Sequence, residues 1–240
     1  MKILAVDSSG MVASIAIVED DVVIAEYNVN YGKTHSQTLL PMIDEVSKMI
    51  ELDMSTIDAI AVAAGPGSFT GLRIGASTVK GRAEASGKPI IAVPTVDALA
   101  YNLYGTEGLV VPIMDARRNQ TYTGIYEFNK FKNIYNLNVL MEQKAIGIDE
   151  LIGTLNEAGR DVVFLGDGVP VFYDILEQKL KVSHSYAPSF QNRQRAAALA
   201  TLAMEYMAEG KCVSAADFAP EYLRMSQAER EAAEAAEAER

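Results

Sequence analysis

One cysteine, two histidines, no membrane-length apolar run and no basic stripe occur in the 240 residues, and each shortage removes a class of function. The single thiol, Cys212, excludes an internal disulfide framework and fits a reducing compartment, where a free cysteine near a helix end usually serves as a small apolar filler. With His35 and His184 alone, no two imidazoles share a helical face, so the paired-histidine metal sites of zinc peptidases have no counterpart. A serine triad would have to recruit one of these two, and no GxSxG elbow accompanies them. The longest apolar stretches, such as 57–64, fall far short of the ~20 residues that a membrane helix needs. The opening MKILAVDSSG enters a strand at once, with no apolar leader segment, so a cytoplasmic location without membrane attachment is expected. The formal net charge is −11 and no Lys/Arg stripe tracks a phosphate backbone. Contact with RNA is therefore expected only indirectly, or shared with a more basic partner.

What is present is a soluble-type core. Hydrophobic residues make up 49% and charged residues 22%, enough for one large domain or two lobes of about 100 residues each. The hydrophobic pattern reads as one unit given twice. Strands at 2–7, 12–18 and 22–30 have short links and predict an antiparallel meander. A helix over 36–52 follows, with Leu39, Ile43, Val46 and Ile50 on one stripe, Met42 and Met49 on a second side, and Pro41 inside it. A strand at 59–63, a Gly/Pro loop at 65–68, a helix over 69–86 and a strand at 90–93 complete the unit, and a helix over 96–104 leads out. The same order then restarts: strands at 109–115, 121–128 and 133–140, a helix over 149–157, a strand at 162–166, a helix over 169–180 and a last helix over 192–209.

Two βββαβα units, each with a first strand ending in an aspartate (Asp7 and Asp115), match the α/β architecture of the actin, sugar-kinase and Hsp70 (ASKHA) superfamily, with a cleft between lobes. The expected boundaries are 1–106 for the N-terminal lobe, 107–212 for the C-terminal lobe and 213–240 for a terminal segment. Residues 226–240, rich in Ala and Glu with almost no apolar stripe, are expected to form a solvated, fraying helix.

The sharpest local feature is AGPGSFTGLRIG, 64–75. Its glycines admit positive φ and close backbone approach, and the helix after it offers free amides, so it reads equally as an anion cradle and as a plain strand-to-helix turn. Ser68 or Thr70 caps that helix. No Gly-Lys-Ser/Thr follows, which excludes a Walker loop. Asp7-Ser8-Ser9 and Asp115-Ala116-Arg117 read either as cleft-facing acids able to hold a hydrated metal or as aspartates stabilising their own turns. His35, just before a helix, reads as a capping or cleft-lining residue in preference to a base. On the helix over 69–86, Gly71, Gly75, Ser77, Thr78 and Ala85 keep much of the surface small; its second face and that of helix 36–52 are either a docking surface or buried within the lobe.

Seven segments in order along the chain resemble the TsaB (YeaZ) family: ILAVDSSG (3–10), HSQTLLPMID (35–44), AVAAGPGSFTGLRIGASTVKG (61–81), GKPIIAVPTVDALA (87–100), PIMDARRNQTYTGIY (112–126), FLGDG (164–168) and PEYLR (220–224). The polar run KGRAEASG ending at Gly87 and the PTVDALA segment depart from the family's usual pattern. The resemblance implies an actin-like fold that has lost its own chemistry, with no catalytic residue, metal or cofactor. It implies a role beside a TsaD-like paralogue, which carries the paired metal-binding histidines and transfers threonylcarbamoyl from its adenylate to the adenosine beside the tRNA anticodon. A TsaE-like ATPase joins that heterodimer. Pairing with the paralogue, or with a second copy, runs through the two N-lobe helices as a four-helix bundle. His35, Leu39, Met42, Val46, Met49, Gly71, Ile74, Gly75 and Thr78 are then expected near the contact. Asp7, Ser8, Ser9, Gly65, Gly67, Ser68, Asp115 and Arg117 are expected to flank a vestigial nucleotide-like cleft. The rival readings are an active actin-like ATPase or small-molecule kinase, a glycoprotease-like peptidase, and a scaffold protein without a modification role.

Overall fold

The computed structural model describes residues 1–32 and 34–224. The expected tail helix over 226–240 lies outside the described residues. Among the described residues, ten strands form two five-stranded sheets of the same plan. The first runs β3-β2-β1-β4-β5, built from β1 (Lys2–Asp7), β2 (Ala13–Glu19), β3 (Val22–Val29), β4 (Ala59–Gly65) and β5 (Ile90–Pro94). The second runs β8-β7-β6-β9-β10, from β6 (Leu109–Asp115), β7 (Gln120–Phe131), β8 (Ile134–Gly147), β9 (Val162–Leu165) and β10 (His184–Tyr186). In each sheet the first strand is central, antiparallel to the second and parallel to the fourth. Two lobes of this topology make the actin-like fold.

Strand alternation sorts the side chains into layers. On β1, Leu4 and Val6 point outward into a core shared with α1 (His35–Met49) and α2 (Phe69–Ser86), while Ile3 and Ala5 point inward to a core between the sheets. On β6, Leu109, Val111 and Ile113 meet α4 (Ile148–Ala158) and α5 (Val169–Lys179), while Val110 and Met114 face inward. The inner core is filled by α3 (Thr95–Tyr101) and α6 (Ala196–Ala208). α6, expected within the 107–212 lobe, packs on β1, β2, β4 and β5 of the first sheet. Its entry is pinned there: Ala196 N donates to Ser14 Oγ at 2.7 Å and Arg195 pairs with Glu26.

Helix limits follow local chemistry. Ser68 accepts from Gly71 N at the start of α2, and Gly87, at φ 66°, ends it in the left-handed region. In α1 the buried residues Leu39, Met42, Ile43 and Val46 follow the i, i+3, i+4, i+7 spacing of a single core-facing stripe. The third strand of the second sheet runs to Gly147 where the sequence pattern stops at 140, and β10 has no expected counterpart. Among the described residues no helix is long and apolar enough to cross a membrane.

Candidate functional site

A cleft of about 640 Å³ opens between the lobes at the C-terminal ends of β1, β4 and β6. Its floor is the β1–β2 turn. Asp7 is 1% exposed and its Oδ1 accepts from Ser9 N at 2.9 Å and Ser9 Oγ at 2.6 Å. Burial raises the Asp7 carboxyl above the usual range, against the pull of the two Ser9 bonds. Ser8 Oγ donates to Gly71 O at 2.9 Å, and Ser68 N donates to Ser9 O at 2.6 Å.

Those bonds explain the glycines of 64–75 in a third way, beside the anion cradle and the plain turn. A Cβ on Gly67 would lie 2.3 Å from Ser9 O, on Gly71 2.1 Å from Ser8 O, and on Gly75 2.5 Å from Ser8 Oγ. On that side the glycines pack against the chain's own β1–β2 turn, while Gly67, Ser68 and Gly71 also line the open cleft. Gly65, at φ 124°, is tight against Glu221 O, and Glu221 N donates to Ala64 O at 2.7 Å. From there 221–224 crosses the cleft mouth. Tyr222 lies 4.5 Å from the Phe69 ring and accepts from Arg73 Nε at 3.3 Å, while Arg224 donates to Ala116 O in the other lobe.

On that other lobe Asp115 accepts from Arg117 N at 2.8 Å and pairs with its guanidinium at 3.5 Å. Arg117, Arg118 and Asn119 are all left-handed, with φ of 63°, 57° and 56°. Asp167, which the sequence reading passed over, joins this wall: its Oδ1 accepts from Asp115 N at 3.2 Å, and burial raises its carboxyl. An acid two residues beyond a buried strand, in FLGDG, was the available signal. Among the described residues no three His, Cys, Asp or Glu side chains gather as metal ligands.

The expected contact residues separate into three groups. Leu39, Met42 and Val46 are at most 4% exposed and belong to the lobe's own core, because α1 has one apolar stripe and the sheet takes all of it. Gly71 and Gly75 are likewise buried, against Ser8. His35 lines the cleft; its Nε2 meets Gly10 O at 2.8 Å and so carries the hydrogen, leaving Nδ1 buried without a partner. Only Met49, Ile74 and Thr78 reach the surface of the helix pair. Met49 is nine residues from Leu40 and therefore on the opposite side of α1. Leu40, 52% exposed and absent from the expected set, is the apolar side chain on the other side.

Two lobes of the actin-like plan around an open cleft, with the glycine loop packed on the β1–β2 turn, define the class of protein. A family model described as TsaD, tRNA N6-adenosine threonylcarbamoyltransferase, matches residues 24–232. The chain is 36% identical to the tRNA threonylcarbamoyladenosine biosynthesis protein TsaB of Bacillus subtilis, over 95% of this chain and 96% of that one. It is 27% identical to the Escherichia coli protein of the same name, over 93% and 95%. The crystal structure of YeaZ from Pseudomonas aeruginosa superposes with a TM-score of 0.76 at 27% identity, covering 92% of this chain and 99% of that one. The chain belongs to the TsaB (YeaZ) family.

Proposed function

We propose that the chain is a non-catalytic subunit of the machinery that makes threonylcarbamoyladenosine in tRNA, acting by holding a TsaD-family partner on the outer surface of α1 and α2. The observation that carries this reading is the Asp7 carboxyl, buried and bonded to Ser9 beneath the cleft. The acid that a working actin-like site would aim at a metal is instead buried on Ser9, and the glycine loop beside it packs against Ser8 and Ser9. An acid so engaged supports binding and positioning over chemistry. The names of the relatives supply the pathway, and the net charge of −11 supports leaving tRNA contact to other subunits. A TsaE-like ATPase and a second copy of this chain complete the proposed partners, in the cytoplasm.

The test is reconstitution of the chain with its TsaD-family partner, a TsaE-like ATPase and the adenylate-forming enzyme, scored for modified tRNA. Modification that proceeds equally well without this chain overturns the proposal. Thr78→Arg on the exposed side of α2 is expected to abolish pairing while the lobe stays folded. Val46 is unsuited to that test, since at 4% exposure an arginine there would disrupt the core. The ATPase or kinase reading predicts heat on titrating the purified chain with magnesium-ATP; none is expected.

A further inference from the structure

Arg82 stands out on α2. It follows Ile74 and Thr78 at i+8 and i+4, so the three side chains lie on one side of the helix, and it extends the half-buried Ile74–Thr78 strip toward the C-terminal end. Among the described residues its guanidinium makes no ion pair, and its Nε is buried without an acceptor. On α1, which packs against α2, Ser47 Oγ is also buried and unpartnered among the described residues. Burial lowers the Arg82 pKa, and the charge of Asp44 on α1 opposes this. A guanidinium presents five donors in a fixed fork, and leaving one half-buried and unpaired is costly unless an acceptor arrives from outside.

We infer that Arg82 is a charge latch for the TsaD-family partner: a partner helix docked between α1 and α2 lays a carboxylate on the Arg82 guanidinium. This rests on the reading of the α1–α2 surface as the partner face. A second copy of the chain is a poorer source of that carboxylate. Within the chain, Asp44, whose charge reaches Arg82, is held by Lys48 at 2.6 Å. Two chains of net charge −11 also repel one another. Arginines are among the residues on which binding energy concentrates once a contact desolvates them.

The test measures affinity of the full chain for the TsaD-family protein of the same organism by titration calorimetry at two salt concentrations, with self-association followed by sedimentation. Arg82→Glu is expected to weaken the heterocomplex by roughly 30-fold or more, the range seen when one member of a desolvated charge pair is reversed or removed. Arg82→Lys is expected to recover part of that loss, and Arg82→Gln to reduce the salt dependence of binding. Circular dichroism confirms that each variant is folded; where Glu disturbs the fold, Gln carries the test. Wild-type affinity in Arg82→Glu alongside blocked binding in Thr78→Arg overturns the latch and leaves the α1–α2 face standing. Wild-type affinity in both removes the face itself. Loss of self-association with an intact heterocomplex overturns the choice of partner.

Discussion

At the scale of single residues, the glycines of α2 divide by what surrounds them, and the division is testable. Gly71 has Ser8 O only 2.1 Å from where a Cβ would sit, and that oxygen belongs to backbone that Ser68 N–Ser9 O pairing holds in place. Gly71→Ala is expected to cost about 2–3 kcal/mol or more, as overpacking against rigid backbone does, and to lower the melting temperature. Gly81, in the same helix, has open space around it, so Gly81→Ala is expected to stabilise by about 0.5–1 kcal/mol through helix propensity alone. Asp7 gives the pH dependence. Its folded pKa lies above the unfolded value because burial disfavours the charge. Its contribution is therefore fully present below the unfolded pKa and is lost as pH rises through the folded one. Asp7→Asn keeps an oxygen for both Ser9 donors and carries no charge. Denaturant titrations are expected to show the variant gaining on the parent as pH rises from the acid range toward neutrality, and a constant difference would sink this account.

Individual elements show why some of the molecule was legible in sequence and some was not. α2 matches its expected limits, 69–86, because Ser68 and Gly87 punctuate it chemically at both ends. The aspartates ending β1 and β6 were equally plain. β8 was read short because, as an edge strand, it alternates exposed and half-buried positions; Glu142 and Lys144 on its outer half look like loop. The second face of α1 misled in the opposite direction: Met42 looks like surplus apolar surface, yet the helix needs it for the core. Most obscure was the 221–224 segment, whose role depends on contacts with Ala64, Phe69 and Ala116, all remote in sequence. Its weight rests on Tyr222, against which Phe69 and Arg73 both pack. Tyr222→Ala is expected to cost about 1–2 kcal/mol from the lost ring and cation contacts. Hydrogen exchange at 65–70 should rise in that variant; unchanged protection there would mean that the segment does not close the cleft.

For the whole molecule the question is whether two lobes make two folding units. A division near 106, as the sequence pattern proposes, leaves α6 on the far side of the cut from the sheet it covers. The inner core is common property: Ile3, Ala61 and Val93 of the first sheet share it with Val110, Tyr126 and Leu165 of the second, and α3 and α6 complete it. Asp97 on α3 extends this coupling, accepting from Tyr126 OH of β7 at 2.6 Å and from Tyr206 OH of α6 at 3.3 Å. A buried carboxylate bonded to two elements resists their separation, because parting them strips its donors away in a region closed to water. Cooperative unfolding of both lobes as one unit is therefore expected. The chain contains no tryptophan, so Tyr31→Trp and Tyr173→Trp, at exposed positions in the two lobes, supply clean separate reporters. Their denaturation midpoints should coincide. Leu199→Ala, in the shared core at 0% exposure, is expected to cost about 2–5 kcal/mol and to move both midpoints together. A shift confined to one reporter would show that the lobes unfold independently, and that a partner gripping α1 and α2 has no mechanical route through the inner core to the opposite lobe.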